Sequence, residues 1–438
     1  MVQILRYGLM AATALLPSTT SAWFMMYADQ YHTADLGNPT LNSGIDHAIM
    51  AFLPVKDFLI QGGGEFKLFE PVETFRARFP AGVKVMAAIG GWGDTDYSQA
   101  LQTANVQTFA KNCKLVIDKY GLDGLDLDFE YVAGNGVDYK TVPNSQKVWE
   151  IDAFPPFLQA VRNAIGKDKF LSIAVPGLER DMLAFNPTTT PKIAAQVDSF
   201  NIMSYDLMNR RDNYTKHQSD VVGSYNAVKK YLDMGLPKEK ATMGFAFYAK
   251  YFTTDPASGC ATTPLGPNCK TVPLENADGS DNGKSGALTF EPSNQPGPGN
   301  LPTSYDGTCG ATVKKSCAAP NCCSSGGYCG TTDAYCGLAC IPGYGTCAGA
   351  SAVQSWAKAI AAPKVDSQAG GHYFWDASAN LFWTWDEPVH IDAKFAQIVQ
   401  GLGIKGVMAW SLSEDSLDRR HLKAIQQNVK KLGLSSVA

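Results

Sequence analysis

Eight apolar runs of strand length recur along the chain: Trp23 to Tyr27, His47 to Phe52, Val83 to Gly90, Gly124 to Glu130, Phe170 to Pro176, Asp198 to Tyr205, Ala241 to Phe247 and Gly406 to Leu412. Between the early runs, apolar residues return every three or four positions, as in Asn105 to Tyr120 and Trp149 to Ile165, which predicts amphipathic helices. Strands alternating with helices predict an α/β architecture, a (β/α)8 TIM barrel, with an open doubly wound sheet as the alternative. No GxGxxG follows the first run, which disfavours a dinucleotide-binding open sheet. The last two runs stand about 155 residues apart, far more than one helix needs, so an insertion is expected between the seventh and eighth strands. Pro, Gly and Asn crowd its edge from Pro292 to Pro302, and the aromatic stretch from His372 to Trp385 reads as two strands around a turn at Asp376 to Asn380.

Cysteine and the N-terminus point to an oxidising compartment. Eight of the eleven Cys fall between Cys309 and Cys347, which predicts a disulfide-stapled miniature domain, because so short a segment cannot build an adequate apolar core. A zinc module fits less well, since the spacings are irregular and no His lies inside. Cys260 and Cys269 are expected to close a small loop, and Cys113, in an apolar helical stretch, to be a buried free thiol. Arg6, the short apolar stretch Leu9 to Leu16 and the small residues Thr20 to Ala22 read as a secretory leader cut after Ala22. Asn213-Tyr214-Thr215 is a glycosylation acceptor consistent with export. The expected location is extracellular.

Composition removes several functions. The chain has 438 residues, 41 acidic against 37 basic side chains, 45% apolar and 18% charged residues, which suits a large packed core. The slightly acidic balance argues against nucleic acid or an anionic membrane as partner. The six His show no HxH or HExxH spacing, so no metal centre and no cofactor are expected.

The chemistry concentrates in the fourth run, Asp123-Gly-Leu-Asp126-Leu-Asp128-Phe-Glu130-Tyr131. Residues two apart on a strand share a face, so Asp126, Asp128 and Glu130 point one way while Leu125, Leu127 and Phe129 point the other. Outward positions pack on helices, which turns the acids into the barrel. Carboxyl groups about 6 to 7 Å apart in a dry interior must share protons, and repulsion raises the pKa of at least one. That arrangement keeps a carboxylic acid protonated near neutral pH as a general acid. Glu130, longest and nearest the mouth, is the candidate. A calcium loop would need a Gly-bearing turn rather than Leu and Phe between the acids, and a purely structural acid network would be a costly core.

These residues resemble the DxxDxDxE motif of the family 18 glycoside hydrolases, the chitinases and their relatives, matched here by Asp123, Asp126, Asp128 and Glu130. Met86 to Trp92 is similar to the family's SxGG segment with its following aromatic, Met203-Ser-Tyr205-Asp206 to its MxYD, Gly244 to Tyr248 to its GxPFYG, and Ala409-Trp410 to its last-strand Trp. The resemblance spans residues 23 to about 430. It implies that Glu130 protonates the glycosidic oxygen while the substrate's own 2-acetamido oxygen attacks the anomeric carbon, the substrate-assisted exception among retaining glycosidases. It implies further that Asp128 moves between Asp126 and the acetamido N–H, and that Tyr205 and Asp206 position the acetamido oxygen and the water. Trp410 would floor the sugar whose bond breaks, and Trp92 would stack the next sugar on the leaving-group side. Tyr27 would support Asp126, and Met203, Phe52, Gly91 and Asp123 belong to the implied substrate-binding set. Ala88 stands where the family has Ser, whose hydroxyl bonds the aspartate corresponding to Asp126; a shifted pH profile in an active enzyme is therefore expected.

The stapled segment resembles a hevein-type chitin-binding module, with Cys322-Cys323 and the run Tyr328 to Cys336. The implied pairs are Cys309–Cys323, Cys317–Cys329, Cys322–Cys336 and Cys340–Cys347, and the implied sugar contacts are Ser324, Tyr328 and Tyr335, with Gly326 replacing one aromatic. In one branch of the barrel family an α+β insertion walls the cleft at this position. The expected division is thus a leader of 1–22, a barrel of 23–252 and 385–438, a reduced insertion of 253–308 and 348–384, and the module of 309–347. The function implied is a secreted, monomeric chitinase acting on chitin or its oligosaccharides. The alternatives are an endo-β-N-acetylglucosaminidase on N-glycans and a chitin-binding lectin without hydrolysis.

Overall fold

A computed structural model describes residues 22–263, 266–290, 296–347 and 349–435. The expected leader lies outside the described residues apart from Ala22. Eight parallel strands close into a barrel: β1 Trp23–Asp29, β2 His47–Leu53, β3 Lys84–Gly90, β4 Gly124–Asp128, β5 Phe170–Pro176, β6 Ser199–Met203, β7 Ala241–Ala246 and β8 Gly406–Trp410. Each pairs with the next, and β8 returns to β1 with Trp23 opposite Gly406. The apolar runs predict all eight, but β4, β6 and β8 each end two residues before their runs do. Strand β4 stops at Asp128, so Glu130 sits past the last ladder bond, at the rim rather than within the strand.

Alternation along each strand builds two cores. Outward residues such as Phe24, Met26, Leu125, Leu127 and Ile173 join the helices in one large apolar layer. Inward residues such as Met25, Tyr27, Met86, Ala88 and Met408 fill the barrel. The helix Thr103–Tyr120 buries Phe109, Cys113, Val116 and Ile117 against that outer layer, and Cys113 is a buried free thiol.

The segment between β7 and β8 holds a five-stranded antiparallel sheet, in the spatial order Ser285–Thr289, Tyr248–Thr253, Leu381–Trp385, Gly371–Asp376, Lys364–Asp366. The boundaries expected at 252/253 and 384/385 fall inside two of these strands. The sheet begins at Tyr248 and ends at Trp385, because the chain leaves β7 already extended and starts pairing almost at once. The aromatic hairpin forms with Trp375 opposite Phe382, and Asn380 adopts a positive φ of 53° in its turn. Trp356, on the helix Ala352–Ala361, packs with ring centroids 5.0 Å from both Trp383 and Trp385.

The stapled module contains the four pairings Cys309–Cys323, Cys317–Cys329, Cys322–Cys336 and Cys340–Cys347, and Cys260–Cys269 closes a separate hairpin. The module is not a bead on a tether. Its Cys309, Cys317, Cys323, Ile341 and Tyr344 share one apolar cluster with Leu288, Phe290 and Trp356 of the insertion, so module and sheet are packed as a unit.

Candidate active site

A cavity of about 370 Å³ opens at the C-terminal mouth of the barrel, where loops after the strands converge. Asp128, Glu130, Tyr205, Asp206, Trp92 and Trp410 line it, together with Tyr27, Phe52 and Met203. Asp126 lies beneath, fully buried.

Asp126 is held by three donors from three strands. The Tyr27 hydroxyl donates at 2.9 Å from β1, the Ser172 hydroxyl at 2.5 Å from β5 and the Asn201 amide at 3.1 Å from β6. Burial raises its pKa to about 6 against the opposing pull of these bonds. Register explains the Ser172 contact, since Ser172 stands directly opposite Asp126, with Ala88 on the other flank. With Ala88 on one flank, the hydroxyl that reaches Asp126 comes from the strand on the other.

Asp128 is pushed well above the ordinary carboxylate range by burial, then by the charges of Glu130 and Asp126. Its Oδ1 is buried and receives no hydrogen bond among the described residues. Burial also raises Glu130, to about 7, with the charges of Asp206 and Asp181 adding to it and a Tyr131 hydrogen bond and the charge of Lys250 opposing. A carboxyl group that keeps its proton to neutrality can deliver it to a leaving oxygen.

Aromatic rings shape the floor. Trp410, at the end of β8, stacks on Phe52 with centroids 5.4 Å apart and meets Tyr27 at 5.5 Å. The peptide bonds Ala51–Phe52, Glu130–Tyr131 and Trp410–Ser411 are cis. Ser411 donates to Asp29 at 2.6 Å, tying the segment after Trp410 to β1. Asp29, His32 and Glu414 gather there closely enough to suggest a metal group. The Asp29 carboxylate already accepts from the N–H groups of Tyr31 and His32 and from Ser411, however, and contacts the His32 ring. This trio reads as a brace.

Tyr205 has no oxygen or nitrogen partner among the described residues; its hydroxyl lies 3.9 Å from the Met408 sulfur and is left to the cavity. Gly244 makes room for that ring, since a Cβ there would lie 2.8 Å from it. Asp206 adopts a positive φ of 54° and is fixed by the Tyr248 hydroxyl at 2.7 Å and Lys250 at 2.9 Å.

Two expectations need correction. Asp123 enters β4 from the far end of the barrel, accepts from Arg76 at 2.8 Å and the Val85 N–H at 2.9 Å, and does not line the cavity. Gly91 lies behind Phe52 rather than at the cavity: its φ is +92°, and a Cβ would strike the Phe52 ring at 2.9 Å. In the module, Ser324 is a buried residue whose hydroxyl donates to the Tyr328 carbonyl at 3.3 Å. Tyr335 is half-buried against Gly330, which leaves Tyr328, 60% exposed, as the more open of the two rings.

Sequence reasoning missed Ser172, Asn201, Tyr248 and Lys250. The first two carried a usable signal, as polar residues at inward positions of otherwise apolar strands.

The mouse protein Chitotriosidase-1 is 28% identical over 217 residues, covering 46% of each chain. Chitinase 1 of Aphanocladium album is 30% identical over 184 residues, covering 39% of this chain and 42% of that protein. The matched part thus spans less than half the length of these relatives. A chitinase from Rhizomucor miehei has the same fold, with a TM-score of 0.62 at 19% identity, covering 93% of this chain and 99% of the other. A Group IV chitinase from Ostrinia furnacalis also superposes at 0.62, with 18% identity over 94% and 100% of the two chains. The description "Glycosyl hydrolases family 18" matches residues 23–415, nearly the whole described chain, and with the acids of β4 at the barrel mouth this protein belongs to that family.

Proposed function

We propose that this protein is a chitinase that cleaves β-1,4 bonds between N-acetylglucosamine units with retention, using the substrate's acetamido group as nucleophile. The observation that carries the reading is the graded acid ladder: Asp126 fully bonded below, Asp128 with an open oxygen above it, and Glu130 protonated to about 7 at the rim. Glu130 gives its proton to the glycosidic oxygen as the bond to the anomeric carbon breaks. The acetamido oxygen closes on that carbon, and Asp128, its proton passed to Asp126, accepts the acetamido N–H and stabilises the positive ring. Tyr205 holds the acetamido oxygen, and Trp410 packs beneath the sugar. Water then opens the ring, and its proton returns to Glu130. An extracellular place of action is supported by the five disulfides, and Tyr328 offers the module's surface for chitin.

Time-resolved proton NMR on a chitin hexamer tests the reaction. Newly formed reducing ends should appear as the β-anomer before mutarotation. Fresh α-anomer would overturn retention, and binding without cleavage would move the assignment to a lectin.

The same ladder sets a pH dependence. Activity needs Glu130 protonated and the Asp126–Asp128 pair holding a single proton, so the rate falls above about 7 and again below about 6. Ser172→Ala removes a bond that lowers the Asp126 pKa, so the acid limb should move toward neutrality and narrow the bell. Ala88→Ser should leave that limb in place, because Asp126 already has its donors. Coincident acid limbs in Ser172→Ala and wild type would remove Asp126 from this role.

A further inference from the structure

Arg210 lies in the loop after β6, and its guanidinium carbon sits 5.6 Å from the centre of the Trp92 ring, with both side chains lining the cavity. That is cation–π geometry. Among the described residues, the carboxylate paired with Arg210 is Glu275, on a loop of the insertion, at 3.9 Å, too far for a hydrogen bond. Glu275 itself is served unevenly. Its Oε1 accepts from the Tyr139 hydroxyl at 2.5 Å and is paired with Lys140. Its Oε2 is buried and receives no hydrogen bond among the described residues. A buried carboxylate oxygen without a donor is unfavourable, and the guanidinium that would satisfy it lies just short, engaged with the Trp92 face.

We infer that Arg210 is a two-position gate on the leaving-group side of the cleft and a specificity-determining residue for the reaction proposed above; the inference rests on the reading that Trp92 stacks a sugar. In the first position, the one observed, the guanidinium covers the Trp92 ring. In the second it swings onto Glu275 Oε2 and frees the ring for the sugar. Occupation of that site therefore has to displace a cation. The return of Arg210 after bond cleavage pushes the leaving oligosaccharide off the ring. The timing matters because the acetamido-bridged intermediate is opened either by water or by a sugar hydroxyl waiting on that face. In either case the new bond forms to the anomeric carbon and the proton goes to Glu130. A cleared face favours water, so Arg210 biases the enzyme toward hydrolysis and away from making longer chains.

The test uses a chitin hexamer with wild type, Arg210→Ala, Arg210→Gln, Trp92→Ala and the Arg210→Ala/Trp92→Ala double variant. KM and kcat are read from hydrolysis, and products longer than the hexamer from mass spectrometry. An exposed cation–π contact corresponds to roughly two- to five-fold in binding, so both Arg210 variants should lower KM by about that factor and raise the yield of longer products. In the Trp92→Ala background the same Arg210 change should have no effect. An unchanged or higher KM, or an effect that survives the loss of Trp92, overturns the gate. A wild type that does not cleave the hexamer overturns the chitinase reading itself, and the gate with it.

Discussion

Glu130→Gln should lower kcat on a chitin hexamer by roughly 10²- to 10⁴-fold, the usual contribution of a positioned general acid. The amide keeps the size and the acceptor oxygen of the acid, so the rim around Tyr131 and Lys250 is preserved and KM should change little. What disappears is the proton held to about pH 7 by burial. The two kinetic parameters kcat and kcat/KM should therefore fall together, the signature of an interaction made in the transition state. The pH profile gives the sharper reading. Wild-type rates should decline as pH rises through about 7, whereas the residual activity of Glu130→Gln should lose that limb. A limb that persists would assign the proton to another group.

Asp128→Asn is the second large effect, expected at about 10²- to 10³-fold in kcat, in the range for removing one preorganised electrostatic contact. Asp128 is buried between two other acids, and its Oδ1 is left without a donor among the described residues. Such an oxygen suits an N–H and a nearby positive charge that arrive only with substrate. Asparagine retains the shape and cannot carry the negative charge. Steady-state kinetics on the hexamer checks this, and a loss smaller than about fivefold would mean that the acetamido group is stabilised elsewhere.

Much of this arrangement was legible in the chain because strand periodicity is strict. Asp126, Asp128 and Glu130 alternate with Leu and Phe, and that alone turns them inward. The same rule argues against Asp123 as a site residue, since it stands an odd number of positions from Asp126 and enters at the opposite end of the barrel. Ser172 and Asn201 were visible as polar interruptions of apolar strands, but their partner depends on cross-strand register, which no single strand encodes. The contact of Arg210 with Trp92 and Glu275 joins loops from three distant parts of the chain, and no local pattern announces it. The insertion's edges were misjudged by a few residues because an extended chain can leave one sheet and enter another without a turn residue to mark the change.

The hydrogen bond from Ser411 to Asp29 joins positions 382 apart. It sits where β1 and β8 meet, so the barrel cannot close until almost the entire chain exists. At ordinary rates of synthesis, β1 waits roughly 20 to 80 s for its partner. Through that interval the β1 edge that will meet β8, Trp23 to Met26, is unpaired, whereas the insertion's own sheet is complete once Trp385 has been made, before β8 begins at Gly406. The order of assembly is thus expected to be the reverse of what the finished architecture suggests: the appendage matures first, and the catalytic barrel is sealed last, by the strand that brings Trp410.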